Sequence, residues 1–174
     1  MVDEKRGTMK KDYEKEHSLE ERVVYMLKQR GFDITTAESC TGGLLAARLV
    51  NVAGVSQIFK EGYITYSNEA KEKWLDVSAA TLQKYGAVSE QTALEMAQGA
   101  AGQAGAQVAL ATTGIAGPDG ATEDKPAGLV YIGCYVHGVT VVEEHVFAGE
   151  RAQVRNLAVE SALDLLERTL SGVC

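Results

Sequence analysis

Three side chains with nucleophilic atoms stand directly before two glycines in the run Glu38-Ser39-Cys40-Thr41-Gly42-Gly43. The hydrophobic pattern predicts a strand over residues 32–37 before this run and a buried helix over residues 44–50 after it. A nucleophile at such a turn is exposed at the end of the strand, and free N–H groups of the next helix can stabilise an anion there. The same pattern also fits a serine that only caps the helix, with glycines that allow close packing.

A serine nucleophile needs a base, and the histidines are poorly placed for that task. His17 lies in a charged head, His137 at a predicted hairpin tip and His145 in the middle of a predicted strand. Lys71 lies about one turn into the helix that follows a strand predicted over residues 59–66. A desolvated lysine can have its pKa lowered enough to hold the serine proton. Taken alone, Lys71 is more typical of the exposed face of an amphipathic helix, like its neighbour Lys73.

Cys40 is a rival nucleophile, because a thiol at a helix N-terminus can have a lowered pKa. A thiolate of this kind normally has a histidine partner, and the pattern places none beside it. The three cysteines, Cys40, Cys134 and Cys174, are too few for a disulfide framework and fit a reducing cytoplasm.

Two further segments could hold an anion. Residues 113–117 follow a short apolar strand, predicted over 107–112, and their backbone N–H groups and hydroxyls would face the carboxyl edge of the sheet. Arg151 and Arg155 are four residues apart in the first turns of the last helix, where cations are unfavourable unless they meet an anion. The alternatives are a plain connecting loop and ion pairs with glutamates at positions 143, 144 and 150.

The elements that must position these side chains alternate along the chain. A capping box at Ser18–Glu21 opens a first helix that Gly31 ends, and the strands and helices named above follow it. Two β-rich runs, 128–136 and 139–147, predict a hairpin. We therefore expect a three-layer α/β/α sandwich with a mixed, mostly parallel sheet and one antiparallel hairpin. Residues 1–17 are predicted to form a charged arm, and residues 18–174 a single domain.

Composition narrows the function. The formal net charge of −7 and the pI near 5.0 argue against nucleic-acid binding and against docking on an anionic membrane. The sequence has no run of 18 apolar residues and no secretory signal, so we expect a cytoplasmic protein without a membrane span. The scattered histidines and cysteines predict no metal site. A small anionic ligand remains compatible with the negative net charge, because its binding needs only a local positive pocket.

Five blocks in this order and spacing resemble the C-terminal domain of the competence/damage-inducible CinA proteins, a domain that also occurs alone as a nicotinamide mononucleotide deamidase. The resemblance covers about residues 19–170. The blocks are AESCTGG at 37–43, TYSNEAK at 65–71, GAVS at 86–89, TGIAGP at 113–118, and Gly149-x-Arg151 with Val154-Arg155.

The resemblance implies hydrolysis of the carboxamide of nicotinamide mononucleotide to nicotinate mononucleotide and ammonia, without metal or cofactor. It implies an acyl-enzyme on Ser39, with Lys71 as the base and backbone N–H groups after Ser39 as oxyanion donors. It also implies a homodimer with a small phosphorylated pyridine nucleotide as its partner. The expected substrate-binding residues are Cys40, Thr41, Gly42, Gly43, Tyr66, Asn68, Thr113, Gly114, Ile115, Ala116, Gly117, Arg151 and Arg155.

Two departures and two alternatives stand beside this interpretation. The acidic pair Glu123-Asp124 lies where the family is often glycine-rich, and Glu150 stands where aspartate is common. A non-catalytic module that binds a pyridine nucleotide for regulation would use the same segments. A purely structural domain, whose glycines and alanines serve packing alone, would bind no nucleotide.

Overall fold

The sheet has five strands in the computed structural model, which describes residues 16–172. They are β1 (Ile34–Glu38), β2 (Tyr63–Ile64), β3 (Val108–Gly114), β4 (Leu129–Val136) and β5 (Val139–Val146), in the order β2-β1-β3-β4-β5. β1 pairs in parallel with β2 and β3, whereas β4 pairs antiparallel with β3 and β5. Only β4 therefore runs against the rest, which confirms the predicted mixed sheet with one hairpin. The predicted arm falls almost entirely outside the described residues.

Helices cover both faces of the sheet, as predicted for three layers. The described helices are α1 (Leu19–Arg30), α2 (Leu44–Val50), α3 (Asn68–Leu75), α4 (Ala79–Tyr85), α5 (Glu90–Ala104) and α6 (Arg151–Gly172). One apolar core holds the buried faces of α1, α2 and α6, and a second holds those of α3, α4 and α5. The expected capping box closes α1 at Ser18, and Gly31 ends that helix at φ 64°. No helix among residues 16–172 combines the length and the apolarity that crossing a membrane requires.

The second strand is much shorter than predicted. Residues 59–66 were expected to be extended, but only Tyr63 and Ile64 pair as a strand, with one further bridge between Ile34 and Phe59. The hydroxyl of Thr35 binds the carbonyl of Glu61 at 2.9 Å, so a side chain replaces a ladder bond there. The prediction of a long strand over residues 59–66 is therefore wrong. The side chain of Thr35 in β1 takes part of the backbone hydrogen bonding of this segment in place of main-chain pairing.

The carboxyl ends of three parallel strands meet at one edge of the sheet. Ser39 follows β1, Thr65 follows β2, and Ile115 follows β3. β1 is buried along its whole length, and β3 is buried up to Gly114, as expected of strands covered on both faces. β1 includes Glu38, which the sequence pattern had placed in the turn. The fold thus brings together three of the segments that the sequence marks for chemistry.

Packing between α3 and α5 leaves no room for a side chain at Gly99. A Cβ atom there would lie 1.8 Å from the carbonyl oxygen of Leu75, the last residue of α3, whereas a Cβ at Gly102 would meet nothing within 4 Å. We expect Gly99→Ala to lower the free energy of unfolding by about 1–3 kcal/mol or more. Gly102→Ala, in the same helix, should raise it by about 0.5–1 kcal/mol. Urea unfolding of both variants tests this, and equal shifts would contradict the packing argument.

Candidate active site

Ser39 and Lys71 meet at the carboxyl edge of the sheet. The Nζ atom of Lys71 lies 3.2 Å from the Oγ atom of Ser39. Ser39 is held at the end of β1 because its N–H group donates to the carbonyl of Thr112 in β3 at 3.0 Å. Lys71 projects from α3, which begins after the N-cap Ser67. Lys71 is only 1% exposed, so the alternative of a surface lysine is wrong.

The surroundings of the Lys71 amine contain neutral acceptors. Nζ donates to the carbonyl of Thr65 at 2.8 Å and to that of Tyr66 at 3.5 Å, and no ion pair joins it to a described carboxylate. Burial penalises the ammonium form and lowers the pKa of Lys71 from its ordinary 10.5 to about 8. A neutral amine has two N–H groups and one lone pair. The two carbonyls can take the N–H groups, which leaves the lone pair for the hydroxyl of Ser39.

Glu38 fills the start of α2. Its buried carboxylate accepts from the N–H groups of Gly43 at 2.9 Å, Leu45 at 3.0 Å and Ala46 at 2.8 Å. The prediction that free N–H groups of this helix would bind a substrate anion is therefore wrong for these three residues. The N-cap is Gly43, in a left-handed conformation that has no capping side chain, so Ser39 is not the cap either. The missing cap was the available sign that another acceptor was needed.

A chain of hydroxyls extends the Glu38 site into β3. The hydroxyl of Thr41 lies 2.7 Å from the Glu38 carboxylate and 2.7 Å from the hydroxyl of Thr112. Since the carboxylate only accepts, Thr41 donates to it, and Thr112 donates to Thr41. Glu38 and Thr112 were not predicted as site residues, although Glu38 lies in the AESCTGG block, because nothing in the sequence marks the N–H groups and hydroxyls that they bind.

Cys40 is buried and unsuited to nucleophilic attack. Its side chain is 5% exposed, and burial raises the pKa of its thiol to about 11. His145 contacts Glu143 at 3.1 Å, and His137 packs its ring near that of Phe32. Among the described residues, no His, Cys, Asp or Glu group of three or more is arranged to hold a metal ion. These surroundings favour Ser39 over Cys40 as the nucleophile.

Arg151 and Arg155, in the first turns of α6, reach neutral oxygens of the site. Arg151 donates to the carbonyl of Gly117 at 2.9 Å and to the hydroxyl of Tyr66 at 3.0 Å. Arg155 donates to the carbonyls of Cys40 at 3.0 Å and Thr41 at 2.7 Å. The alternative of ion pairs with the glutamates at 143, 144 and 150 is wrong, since Arg168 binds Glu143 instead and neither Arg151 nor Arg155 forms an ion pair among the described residues.

Both guanidinium groups border a cavity of about 740 Å³ beside the Ser39 turn. That volume falls within the usual range for small-ligand sites. The cavity lies between the loop after β3 and the start of α6. Its lining consists of Ala116, Gly117, Pro118, Ala127, Phe147, Ala148, Gly149, Glu150, Arg151, Ala152 and Arg155.

Of the remaining candidate residues, those at or just after the end of β3 serve the structure, and Asn68 is exposed. Thr113 and Gly114 serve packing: the Thr113 hydroxyl binds the carbonyl of Ala87 at 2.6 Å, and a Cβ at Gly114 would lie 2.6 Å from the carbonyl of Leu129. The backbone of Ile115 is tied to the start of β4. Asn68 is exposed at the start of α3, and its substrate contact stays a prediction.

The donors around Glu38 make its negative charge structurally important. We expect Glu38→Gln to lower the free energy of unfolding by about 2–3 kcal/mol, because the amide would turn a donor toward groups that already donate. Glu160→Gln is the control, since Glu160 is half exposed in its ion pair with Arg48 and its loss should cost less than about 1 kcal/mol. Urea unfolding measures both, and equal stabilities would rule out the capping role.

Comparison with known proteins identifies the family. The family profile of the CinA C-terminal domain matches residues 16–170. A CinA-like protein of Kosmotoga olearia is 57% identical over 155 residues, and a putative competence-damage inducible protein of Clostridium botulinum is 54% identical. Each match covers 89% of this chain but 38% of the relative, so the chain spans about two fifths of these relatives.

Solved structures agree over nearly the whole fold. A CinA superfamily protein of Klebsiella pneumoniae is 40% identical, with a TM-score of 0.86, and the match covers 88% of this chain and 96% of that one. The competence/damage inducible protein of Agrobacterium tumefaciens is 41% identical, with a TM-score of 0.84 and coverage of 88% and 93%. The chain therefore belongs to the CinA C-terminal domain family.

Proposed function

We propose that this protein hydrolyses the carboxamide of nicotinamide mononucleotide to nicotinate mononucleotide and ammonia. The observation that carries the proposal is the buried Lys71 amine, 3.2 Å from the hydroxyl of Ser39 and surrounded by neutral acceptors. This arrangement provides a nucleophile and a base of lowered pKa without a histidine. The family resemblance of the motif blocks supplies the substrate.

The proton follows a short path in this mechanism. Neutral Lys71 takes the proton of Ser39 as Oγ attacks the carboxamide carbon, and nearby backbone N–H groups stabilise the oxyanion. The C–N bond then breaks, and the Lys71 ammonium returns the proton to the leaving ammonia. Water attacks the acyl-enzyme with Lys71 again as base, which releases the carboxylate and restores Ser39. The positive pyridinium ring makes the amide carbon more electrophilic.

The cavity suits the rest of the substrate. A mononucleotide carries a phosphate, and Arg151 presents a guanidinium that no described carboxylate neutralises at the cavity wall. Tyr66 is 62% exposed and hydrogen-bonded to Arg151, so both side chains are accessible to a ligand. Ala116 and Gly117 also line this cavity. These contacts support a phosphorylated ligand in the cavity that Arg151 and Arg155 border, and Arg155 connects that cavity to the turn after Ser39.

Removal of either member of the pair tests the chemistry. We expect Ser39→Ala and Lys71→Met each to reduce kcat/KM for ammonia release from nicotinamide mononucleotide by about 10⁴-fold or more, because nucleophile and base act as a unit. Lys73→Met is the matched control, since Lys73 is exposed on the same helix and lies over the ring of Trp74. It should retain the parent rate.

The possible outcomes separate the functions. Near-parent activity of Ser39→Ala would remove Ser39 as nucleophile. A parent protein that releases no ammonia, yet melts at a higher temperature with the nucleotide, would be a binding module. A parent protein with neither response would be a structural domain.

The lowered pKa of Lys71 predicts the pH dependence of the reaction. Only the neutral amine accepts the proton, so kcat/KM should rise about tenfold per pH unit below pH 8 and level off above it. Measurement from pH 6.5 upward avoids the second ionisation of the phosphate, near pH 6. The Lys73→Met control should keep this limb. If kcat/KM instead rose with a midpoint near pH 10.5, or did not change with pH, the proposal that a desolvated Lys71 is the base would be contradicted.

A further inference from the structure

Arg155 donates two hydrogen bonds to the turn that follows the nucleophile Ser39. Its Nε atom donates to the carbonyl of Cys40 at 3.0 Å, and its Nη2 atom donates to that of Thr41 at 2.7 Å. Two successive peptide groups are thus held by one planar fork from α6. This is an unusual use of an arginine at a cavity wall, where a free guanidinium would be expected to meet the ligand.

Holding the carbonyls also fixes the N–H groups on the other side of each peptide. Among the described residues, the single cis bond is Gly117–Pro118, so the peptides between residues 40 and 42 are trans. In a trans peptide the carbonyl and the following N–H point in opposite directions. The N–H groups of Thr41 and Gly42 therefore face away from Arg155.

Of these two N–H groups, only that of Gly42 is accessible to a ligand, because Thr41 is fully buried and Gly42 is exposed. Within residues 16–172, neither Thr41 nor Gly42 uses its N–H in a hydrogen bond. By contrast, Glu38 takes the N–H groups of Gly43, Leu45 and Ala46. Gly42 is exposed at φ 58°, a left-handed conformation that glycine adopts without strain. The turn thus offers one accessible, unpaired donor three residues after Ser39.

We propose that Arg155 is a positioning residue that aims the N–H group of Gly42 at the oxyanion, and that it does not bind the substrate phosphate. The proposal rests on the proposed function and names how that site stabilises its transition state. A cation on the carbonyl also polarises each peptide, which makes its N–H a stronger donor. Arg151, which is exposed and bound to Tyr66, remains the guanidinium available to the phosphate.

The two roles differ in which kinetic constant they change. Loss of an oxyanion donor lowers kcat by about 10²–10³-fold, and ground-state binding stays the same. We expect Arg155→Lys and Arg155→Ala to show this loss with KM within threefold of the parent. Arg151→Met should instead raise KM by tenfold or more. Arg168→Met is the control, because Arg168 lies on the same helix and pairs with Asp164 and Glu143 at the surface.

Two measurements separate positioning from a merely structural effect. Added guanidinium should raise kcat of Arg155→Ala at least tenfold, because the ion can reoccupy the fork between the two carbonyls. In the inactive Ser39→Ala background, calorimetry should give the same affinity for nicotinamide mononucleotide with Arg155 or with Lys at that position. Arg155→Lys keeps a cation on the turn, which keeps the test open where the alanine variant fails to fold.

The outcomes are distinct. Raised KM or weakened binding with retained kcat would overturn the proposal and return Arg155 to the phosphate. Lost kcat without any rescue by guanidinium would overturn it as well. A parent protein that releases no ammonia would instead refute the proposed function, and it would do so before any Arg155 variant is compared.

Discussion

The burial of one amine against neutral oxygens is the constraint on which the site depends. Lys71 is a large, almost fully buried side chain, and no described carboxylate pairs with it. Burial of an unpaired cation is costly, so the fold favours the neutral form. The short β2 follows from this need. The strand ends at Ile64, and the carbonyls of the next two residues turn to the amine instead of to a neighbouring strand.

In contrast to Lys71, the adjacent carboxylate of Glu38 has its oxygens bound by several hydrogen-bond donors. Glu38 precedes Ser39 directly, and a carboxylate free to approach Lys71 would raise the pKa of that amine. Instead, three N–H groups of α2 and the hydroxyl of Thr41 take up its oxygens. One acid and one base thus share a small buried region without forming an ion pair. The N–H groups at the start of α2 stabilise the Glu38 carboxylate by hydrogen bonds. Lys71 therefore has no described carboxylate as its partner and can act as a base.

Local features of the fold were predictable from sequence, and long-range ones were not. The capping box at Ser18 and helix α2 appear where the pattern placed them, because neighbouring residues determine both. The burial of Lys71 depends on Ser39, 32 positions away, so an isolated lysine on a helix looked like a surface residue. Glu38 was missed for a different reason: its partners lie only three to eight positions away, but an acidic residue before a glycine-containing turn does not by itself indicate that it binds the start of the next helix. Ser39 and Lys71 were already candidates from their places after a strand and in a helix, and the family resemblance assigned their roles.

The cavity holds two arginines without carboxylate partners among the described residues, in an otherwise acidic protein. With a net charge of −7, most cations would be expected to find carboxylates. Arg22, Arg48 and Arg168 do so, in ion pairs with glutamates or aspartates. Arg151 and Arg155 touch only neutral oxygens and therefore keep their full charge at the cavity wall. Two uncompensated guanidinium groups at one cavity wall create a local positive field that favours an anion there, although the protein as a whole is acidic.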